Sequence, residues 1–244
     1  NLDEFKEMVD NIKATCEKEN GFTPVVIMQA THSGRYSKPT GESAPIIMYN
    51  NPIFEKDNPI PKERIATDDY LKSLEELFGK AARLAEKAGF DGVDIKACHR
   101  YLISESLSAY TRSGPYGGSF ENRIRLFLNA IEAAKAAVSG NTFITSRMNA
   151  YDGFAYPYGW GVSEDGGETP DMSEPIKLID ILHNKLGIEL LDITVGNPYF
   201  NPHVNRPFDV GPYESPEHPL VGLARVCDCT GEIKSHFKDL FIIS

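Results

Sequence analysis

The chain has 244 residues with a formal net charge of −10 at pH 7, and its 41% hydrophobic and 25% charged residues are ordinary for a globular protein. The acidic balance argues against nucleic acid or an anionic membrane as a partner. No apolar run approaches the roughly 18 residues of a membrane span, and no signal peptide is visible. We therefore expect a soluble protein.

The cysteines and the two ends of the chain carry further expectations. Cys16, Cys98, Cys227 and Cys229 are interpreted as free thiols in a reducing, cytoplasmic setting. The last two are too close in sequence for an ordinary metal pair and lack a second pair, so we predict no metal site. The chain opens on Asn1 without a methionine and ends on LFIIS, which is typical of the first half of a strand. We interpret it as a segment of a longer protein.

The first half of the chain predicts two helices, two strands and a long loop. Apolar residues at helical spacing in LDEFKEMVDNIKATCEKEN predict a helix that Gly21 ends. The run TPVVIMQA predicts a buried strand. Residues 31 to 66 are rich in Pro, Gly, Ser and Asn and predict a loop long enough to suggest a function. A second helix, capped by Thr67 or Asp68, leads into the strand FDGVDIKA.

The second half of the chain continues the same alternation. SFENRIRLFLNAIEAAKAAVSG predicts one helix with Ser119 at its N-cap, followed by the strand TFITSRMN and a polar loop over residues 150 to 172. MSEPIKLIDILHNKLG predicts a helix capped by Ser173, with a proline in its first turn. The strand IELLDITVG, a helix near residues 219 to 226 and the strand-like LFIIS follow.

This alternation of helix and strand patterns predicts the fold class. It implies parallel strands joined by right-handed helical crossovers. Long loops after the strands and short loops before them indicate a barrel or a doubly wound sheet with its chemistry at the carboxyl ends of the strands. No Gly-x-Gly-x-x-Gly follows the first strand, which weakens a dinucleotide-binding sheet. No internal break divides residues 1 to 244, so we predict a single α/β domain.

Polar side chains gather where the predicted strands end. Most of them are hydrogen-bond donors: an amide, imidazoles, cations and a phenol. Such a pocket suits an electron-rich ligand, for example an anionic heterocycle or a carbonyl that gains negative charge. Strand by strand, the candidates are Gln29, His32 and Arg35; Lys96, His99, Arg100 and Tyr101; Arg147; and Thr194 and Asn197.

The group after the second strand raises a question of direction. Strand alternation points Lys96 to one face and His99 to the other, unless the strand ends near residue 97 and the chain turns. With such a turn, the spacing of three residues brings the two side chains together. The sequence leaves both arrangements open.

Three neighbouring candidates also have ordinary structural interpretations. A lone loop histidine such as His32 is more often structural than catalytic. We expect Arg35 to form an ion pair with a loop carboxylate. Cys98 is interpreted as a small buried hydrophobic residue.

Three motifs occur in order along the chain: QATHSGRYS, AGFDGVDIKACHRYL and YGGSFENR. Together they resemble the NADH:flavin oxidoreductase, or old yellow enzyme, family, whose members are FMN-dependent eight-stranded barrels. The resemblance covers nearly the whole chain, from about the third strand to the start of the seventh strand of such a barrel. It implies that the chain is the central part of a TIM barrel, incomplete by itself.

The resemblance also implies roles for five residues. Gln29 matches the glutamine that hydrogen-bonds the pyrimidine edge of the flavin, and Arg147 matches the arginine near flavin N1 and O2. His99 matches the second member of a pair that holds a substrate carbonyl oxygen or a similar anion. Tyr101 matches the tyrosine that protonates the substrate carbon after hydride transfer. Lys96 stands where many members carry a histidine.

The lysine is a departure from the family pattern. A lysine can still donate to an oxyanion, but as a point charge on a flexible stem. Its competing interpretations are a salt bridge from Lys96 to Asp94 or Glu105, and a Schiff-base lysine assisted by Arg100. The departure leaves the substrate class open.

The implied function is that of an FMN-dependent oxidoreductase. It would pass hydride from NAD(P)H through the flavin to an activated alkene or a related small acceptor, which Lys96 and His99 would polarise and Tyr101 would protonate. The alternatives are a non-catalytic or differently catalytic barrel that binds a small anionic metabolite, and an inactive fragment that only self-assembles. A homo-oligomer is a further expectation, because the strand segments VVIMQA and LFIIS contain no charge or proline to protect their edges.

Overall fold

The computed structural model describes residues 1–56, 58–166, 168–209, 211 and 213–244. The helices are α1 (Leu2–Asn20), α2 (Pro52–Glu55), α3 (Asp68–Lys87), α4 (Leu102–Leu107), α5 (Phe120–Arg123), α6 (Arg125–Ala137), α7 (Ser173–Asp180) and α8 (Pro219–His236). The strands are β1 (Ile27–Ala30), β2 (Gly92–Ile95), β3 (Phe143–Tyr151), β4 (Leu190–Val195) and β5 (Phe241–Ile243). Within this described part of the chain, no helix is both long and apolar enough to cross a membrane.

The five strands form one parallel sheet in sequence order, so each strand pairs with its neighbours along the chain. Ile27 of β1 pairs with Gly92 of β2, which pairs with Phe143 of β3. At the other side, Leu190 of β4 pairs with Phe241 of β5. Sequential parallel pairing through helical crossovers is the arrangement of a barrel wall. It confirms the predicted α/β class with parallel strands.

The two faces of the sheet have different surroundings. Side chains alternate between them, and on one face Val93 and Ile144 are buried among the helices. On the other face, Ile27, Phe143 and Phe241 are between 37% and 70% exposed. We call this second side the open face. It comprises the strand residues whose side chains point in the same direction as these three. In a closed barrel the same face is filled by layers of side chains from all the strands.

A cavity of about 860 Å³ lies at the amino-terminal ends of β3, β4 and β5. Its walls include Phe143, Ile188 and Phe241, which make it largely apolar. The polar candidates of the sequence lie at the opposite, carboxyl end of the sheet. The two ends of the open face therefore differ in chemical character.

Most of the predicted helix ends are confirmed. Gly21 ends α1 with a φ of 77°, and the side chains of Thr67 and Ser119 each accept a backbone N–H at the start of α3 and α5. The predicted cap Ser173 is wrong, because it is already the first residue of α7 and its side chain makes no capping bond. Instead, the carboxylate of Asp171 accepts the Ser173 N–H at 2.9 Å.

Three elements differ in extent from the prediction. The single helix expected from Ser119 is divided at Ile124 into α5 and α6. Strand β3 continues to Tyr151, because β4 supplies pairing partners along its length, so Arg147 lies within the strand rather than at its end. Helix α8 continues to His236, ten residues beyond the expected end near 226.

Candidate active site at the carboxyl ends of the strands

Three of the predicted site residues lie on the open face. Gln29 is paired with Asp94 across β1 and β2. Lys96 lies two residues after Asp94, so its side chain points to the same face. It lies beside Arg147, because the residue after Lys96 forms a β-bridge with the residue after Arg147. Arg147 is paired in turn with Asp192 of β4. Strand register thus places an amide, two cations and two carboxylates on adjacent positions of one surface.

The chain turns sharply after β2, which is one of the two arrangements that the sequence allowed. His99 and Arg100 have φ values of 61° and 58°, in the left-handed region that non-glycine residues rarely adopt. Two consecutive residues of this kind are costly and persist only where the surroundings hold them. The turn breaks the strand alternation that would otherwise direct His99 to the face opposite Lys96.

The side chain of Arg100 anchors this turn. It is fully buried, and its Nη1 donates to Asp152 at 2.8 Å and to Ser108 at 2.5 Å. Its Nη2 donates to the hydroxyl of Tyr49 at 3.3 Å. These contacts account for the guanidinium as a tie between loops, without a role toward Lys96.

A second buried arginine ties the loop after β1 to α4. Arg35 forms salt bridges with Glu55, at 2.5 Å, and with Glu105. Its guanidinium also lies 4.2 Å from the ring centre of Phe54. The expected ion pair of Arg35 with a loop carboxylate is confirmed, and the proposed salt bridge between Glu105 and Lys96 is wrong because Arg35 occupies that carboxylate.

His32 and Cys98 also have structural surroundings. The Nδ1 of His32 accepts the Gly34 N–H at 3.0 Å, and its Nε2 lies 2.8 Å from the hydroxyl of Tyr70. Cys98 is fully buried, and burial raises the pKa of its thiol to about 12. These contacts and this burial agree with the structural interpretations of the two residues.

Lys96 is nearly buried, with 9% of its surface exposed. Its ammonium lies 3.9 Å from the ring centre of Tyr101, which is a cation–π contact. Among the described residues it makes no salt bridge, so the proposed pair with Asp94 is also wrong. That carboxylate instead accepts the amide of Gln29 at 2.7 Å and the backbone N–H of Arg147 at 2.8 Å.

The imidazole of His99 is kept neutral by its surroundings. Burial, and after it the positive charges of Lys96 and Arg147, lower its pKa to about 4. At pH 7 the ring therefore offers one N–H donor and carries no charge. The ring lies edge-on to Tyr199, with 6.3 Å between the ring centres.

Tyr101 belongs to a cluster of three tyrosines from three loops. Its ring is nearly parallel to that of Tyr199, with an interplanar angle of 12°, and the two hydroxyls are 3.4 Å apart. Tyr36 contacts both rings and accepts a hydrogen bond from the amide of Asn197 at 2.9 Å. Burial, followed by the contact with Tyr199, raises the pKa of Tyr101 to about 12. The phenol is therefore protonated at pH 7.

Two members of this cluster were not among the sequence candidates. Tyr36 directly follows Arg35, and Tyr199 lies two residues after Asn197, so both stand in loops that follow strands. An aromatic residue in a loop that follows a strand was the sequence feature that could have identified both tyrosines. The remaining candidate, Thr194, donates to Asn149 at 2.7 Å and serves the packing of β3 on β4.

The donor set at the level of Gln29 and Arg147 fits the pyrimidine edge of a flavin. The Gln29 amide nitrogen donates to Asp94 at 2.7 Å, and no described residue donates a hydrogen bond to its carbonyl oxygen. Arg147 lies 3.1 Å from Asp192 through its Nε, and 39% of its side chain is exposed. A free amide oxygen and a guanidinium on one surface match a ring edge that has both N–H and C=O groups.

Comparison with known proteins gives consistent results. The model of the NADH:flavin oxidoreductase / NADH oxidase family matches residues 1–188. An NADPH dehydrogenase of Geobacillus sp. (strain WCH70) is 33% identical over 194 residues, which cover 78% of this chain and 51% of that protein. NADH:flavin oxidoreductase FG08077 of Gibberella zeae is 36% identical over 141 residues, 57% of this chain and 33% of that protein.

A solved structure supports the fold over the full length. The complex of 2-naphthoyl-CoA reductase with 2-naphthoyl-CoA superposes with a TM-score of 0.67 at 21% identity, over 99% of this chain and 38% of that chain. This likeness confirms the fold as part of a TIM barrel. The chain spans about half or less of the curated relatives described above. Because the family model matches residues 1–188 of 244, the chain belongs to the NADH:flavin oxidoreductase / NADH oxidase family.

Proposed function

We propose that the chain carries the flavin-facing and acceptor-facing surface of an FMN-dependent NAD(P)H oxidoreductase. Its acceptor is an activated alkene or a related small molecule. The observation that supports this most is the placement of Gln29, Lys96 and Arg147 on one open face. Membership of a flavin-dependent, NADH-using family supports the same function.

Gln29 and Arg147 are the residues that would hold the cofactor. FMN, when bound, supplies the transfer of hydride between the reduced nicotinamide and the acceptor. The guanidinium of Arg147 places a positive charge beside the pyrimidine edge, where it favours the anionic reduced ring. Asp192, which pairs with Arg147 at 3.1 Å, keeps the guanidinium oriented.

Three residues act on the acceptor. The ammonium of Lys96 and the N–H of His99 donate to the oxygen that gains negative charge. The hydroxyl of Tyr101 holds the proton that the acceptor carbon receives, since its pKa of about 12 keeps it protonated at pH 7. The partly exposed ring of Tyr199 lies beside it.

The proposal is tested by replacing Tyr101 with phenylalanine and measuring the two half-reactions separately with FMN in excess. Tyr101→Phe should slow acceptor reduction by about 100-fold or more, the usual contribution of a positioned acid. Flavin reduction by NAD(P)H should be unchanged, because that step takes no proton from Tyr101. The matched control is Tyr213→Phe, whose hydroxyl contacts His203 elsewhere. Equal slowing of both half-reactions, or no slowing, contradicts the proposal.

A further inference from the structure

The chain does not leave α7 by a regular helical turn. Directly after α7 it forms a π-helical turn, Ile181–Lys185, in which the Leu186 N–H donates to the Ile181 carbonyl at 2.9 Å. Such turns are rare and frequently lie at functional positions. His183 lies in this turn, and only 10% of its side chain is exposed. A titratable ring is therefore packed near the amino-terminal end of β4, away from the site at the carboxyl ends of the strands.

The ring of His183 has an oxygen atom on each side. Its Nδ1 lies 2.8 Å from the carbonyl oxygen of Ile188, just before β4. Its Nε2 lies 3.2 Å from the carboxylate of Asp239, in the turn between α8 and β5. A carbonyl oxygen only accepts hydrogen bonds, so Nδ1 carries a proton. A neutral ring would then turn an unprotonated Nε2 toward a carboxylate, and only the doubly protonated, charged ring suits both neighbours.

Charged groups from the neighbouring elements also face this pair. Glu189, directly before β4, adds a negative charge near the ring. Lys234 of α8 favours the charged form of Asp239, and its ammonium donates to two backbone carbonyls of the same turn at 2.8 and 2.7 Å. Lys135 of α6 donates to the last carbonyl before Gly187. The carboxylates lie closest to the ring, so the local field favours its charged form.

The pKa values of the two partners shift in opposite directions. The hydrogen bond to Ile188 is the largest cause that raises the pKa of His183 above 6.5, burial opposes it, and Asp239 and Glu189 add to it. The contact with His183 is the largest cause that lowers the pKa of Asp239. Both partners are therefore charged between the lowered pKa of Asp239 and the raised pKa of His183.

The pair connects the approaches to two neighbouring strands. His183 precedes β4, and Asp239 lies two residues before β5. The pairing of these strands begins where the Phe241 N–H donates to the Glu189 carbonyl at 2.9 Å. Strand β5 has three residues and pairs with β4 alone among the described strands. Because so few contacts hold it, an ion pair beside its first backbone hydrogen bond affects how well it is ordered.

We propose that His183 and Asp239 form a pH-dependent switch that controls the order of β5. With the ring charged, the ion pair holds the turn after α8 against the end of α7. When the ring loses its proton, the attraction is lost and β5 separates from β4 more often. Because the pKa of His183 is raised in the folded chain, this stabilisation is complete below 6.5 and is lost as pH rises through the higher folded value.

Histidine NMR titration of the full chain tests the ion pair. The pKa of His183 should lie above 6.5 and should fall in Asp239→Asn, because the negative charge is removed while the hydrogen bond to Ile188 remains. The matched control is Asp228→Asn. Asp228 is an exposed aspartate of α8 that forms no ion pair with His183 in the described structure, so the pKa should be unchanged.

Amide hydrogen exchange at Phe241 tests the order of β5. Its protection factor, which is corrected for the intrinsic pH dependence of exchange, should fall about threefold between about pH 6 and about pH 8.5, the effect of a partly exposed ion pair. His183→Gln and Asp239→Asn should abolish this fall. His236→Gln is the matched control and should retain it, because the exposed His236 contacts the same Phe237 ring at 6.2 Å, close to the 6.1 Å of His183.

Four outcomes overturn the inference. They are a His183 pKa at or below 6.5, a pKa that Asp239→Asn leaves unchanged, equal protection of Phe241 at both pH values, and a fall in protection that persists in His183→Gln and Asp239→Asn. None of these measurements involves flavin or an acceptor. The switch can therefore fail while the proposed function stands, and the reverse also holds.

Discussion

At the scale of single residues, burial and the cations Lys96 and Arg147 together keep the imidazole of His99 neutral. Burial is the largest cause of its low pKa, and Lys96 and Arg147 act in the same direction. Because the folded chain favours the neutral ring, folding is penalised as pH falls from 6.5 toward 4, where the unfolded chain takes up the proton first. At neutral pH the ring is an uncharged donor.

Removing one of these cations should raise the pKa of His99. In Lys96→Met the pKa should rise above its value of about 4, yet stay below the ordinary 6.5 because burial remains. Histidine NMR titration measures the shift directly. The control is Lys177→Met, which leaves the mouth unaltered. An unchanged pKa in Lys96→Met would show that the lysine does not act on the imidazole.

The single-residue placements differ in how far the sequence determines them. Gln29, Lys96 and Arg147 could be assigned to one face, because strand period and parallel order are readable from the pattern. Tyr199 could not, since its position depends on the path of a loop that Asn197 organises: the side-chain oxygen of Asn197 accepts the Tyr199 N–H at 3.0 Å. The salt-bridge partner of Lys96 was wrongly expected, because Arg35 comes from a distant loop to occupy Glu105.

At the scale of elements, the turn after β2 is the feature on which the site depends. The left-handed residues His99 and Arg100 are held in place by the buried contacts of the Arg100 guanidinium. The sequence allowed either a continued strand or a turn at this point, and the structure has the turn. The conformation of the turn could not be predicted from the sequence, because it depends on a contact with Asp152, more than fifty positions away.

Breaking the ion pair of this turn should be costly. In Asp152→Asn the buried guanidinium of Arg100 loses its counter-charge, and we expect a loss of about 3 kcal/mol or more in the free energy of unfolding. The matched control is Glu217→Gln, which breaks the more exposed pair with Arg225 and should cost about 1 kcal/mol or less. Urea unfolding measures both. Similar losses in the two variants would mean that the buried pair has no special role.

At the scale of the whole molecule, the open face and the outer strands are the features that matter. Within the described residues, β1 and β5 each pair on one side only. On the same strands Ile27 is 37% exposed, Ile243 56% and Phe241 70%. Unpaired strand edges beside an apolar surface favour association with another chain. The alternation of elements predicted this arrangement, because it contains five strands and a closed barrel of this type has eight.

The chain should therefore self-associate through this surface and hold FMN only weakly. Sedimentation velocity over a range of concentrations should show species larger than a monomer. Phe241→Lys should reduce the association, because it places a charge on the edge strand. Leu77→Lys is the control, since Leu77 is 49% exposed on α3 and lies away from the open face. A monomer that binds FMN stoichiometrically would contradict this expectation.

The crystal structure of the chain with FMN tests the central proposal most directly. We expect the flavin ring to lie on the open face at the carboxyl ends of the strands, with its pyrimidine edge within hydrogen-bonding distance of Gln29 and Arg147. The competing location is the apolar cavity of about 860 Å³ at the amino-terminal ends of β3, β4 and β5, beside Phe143 and Ile188. Flavin bound there, or bound away from Gln29 and Arg147, would contradict the assignment of the site.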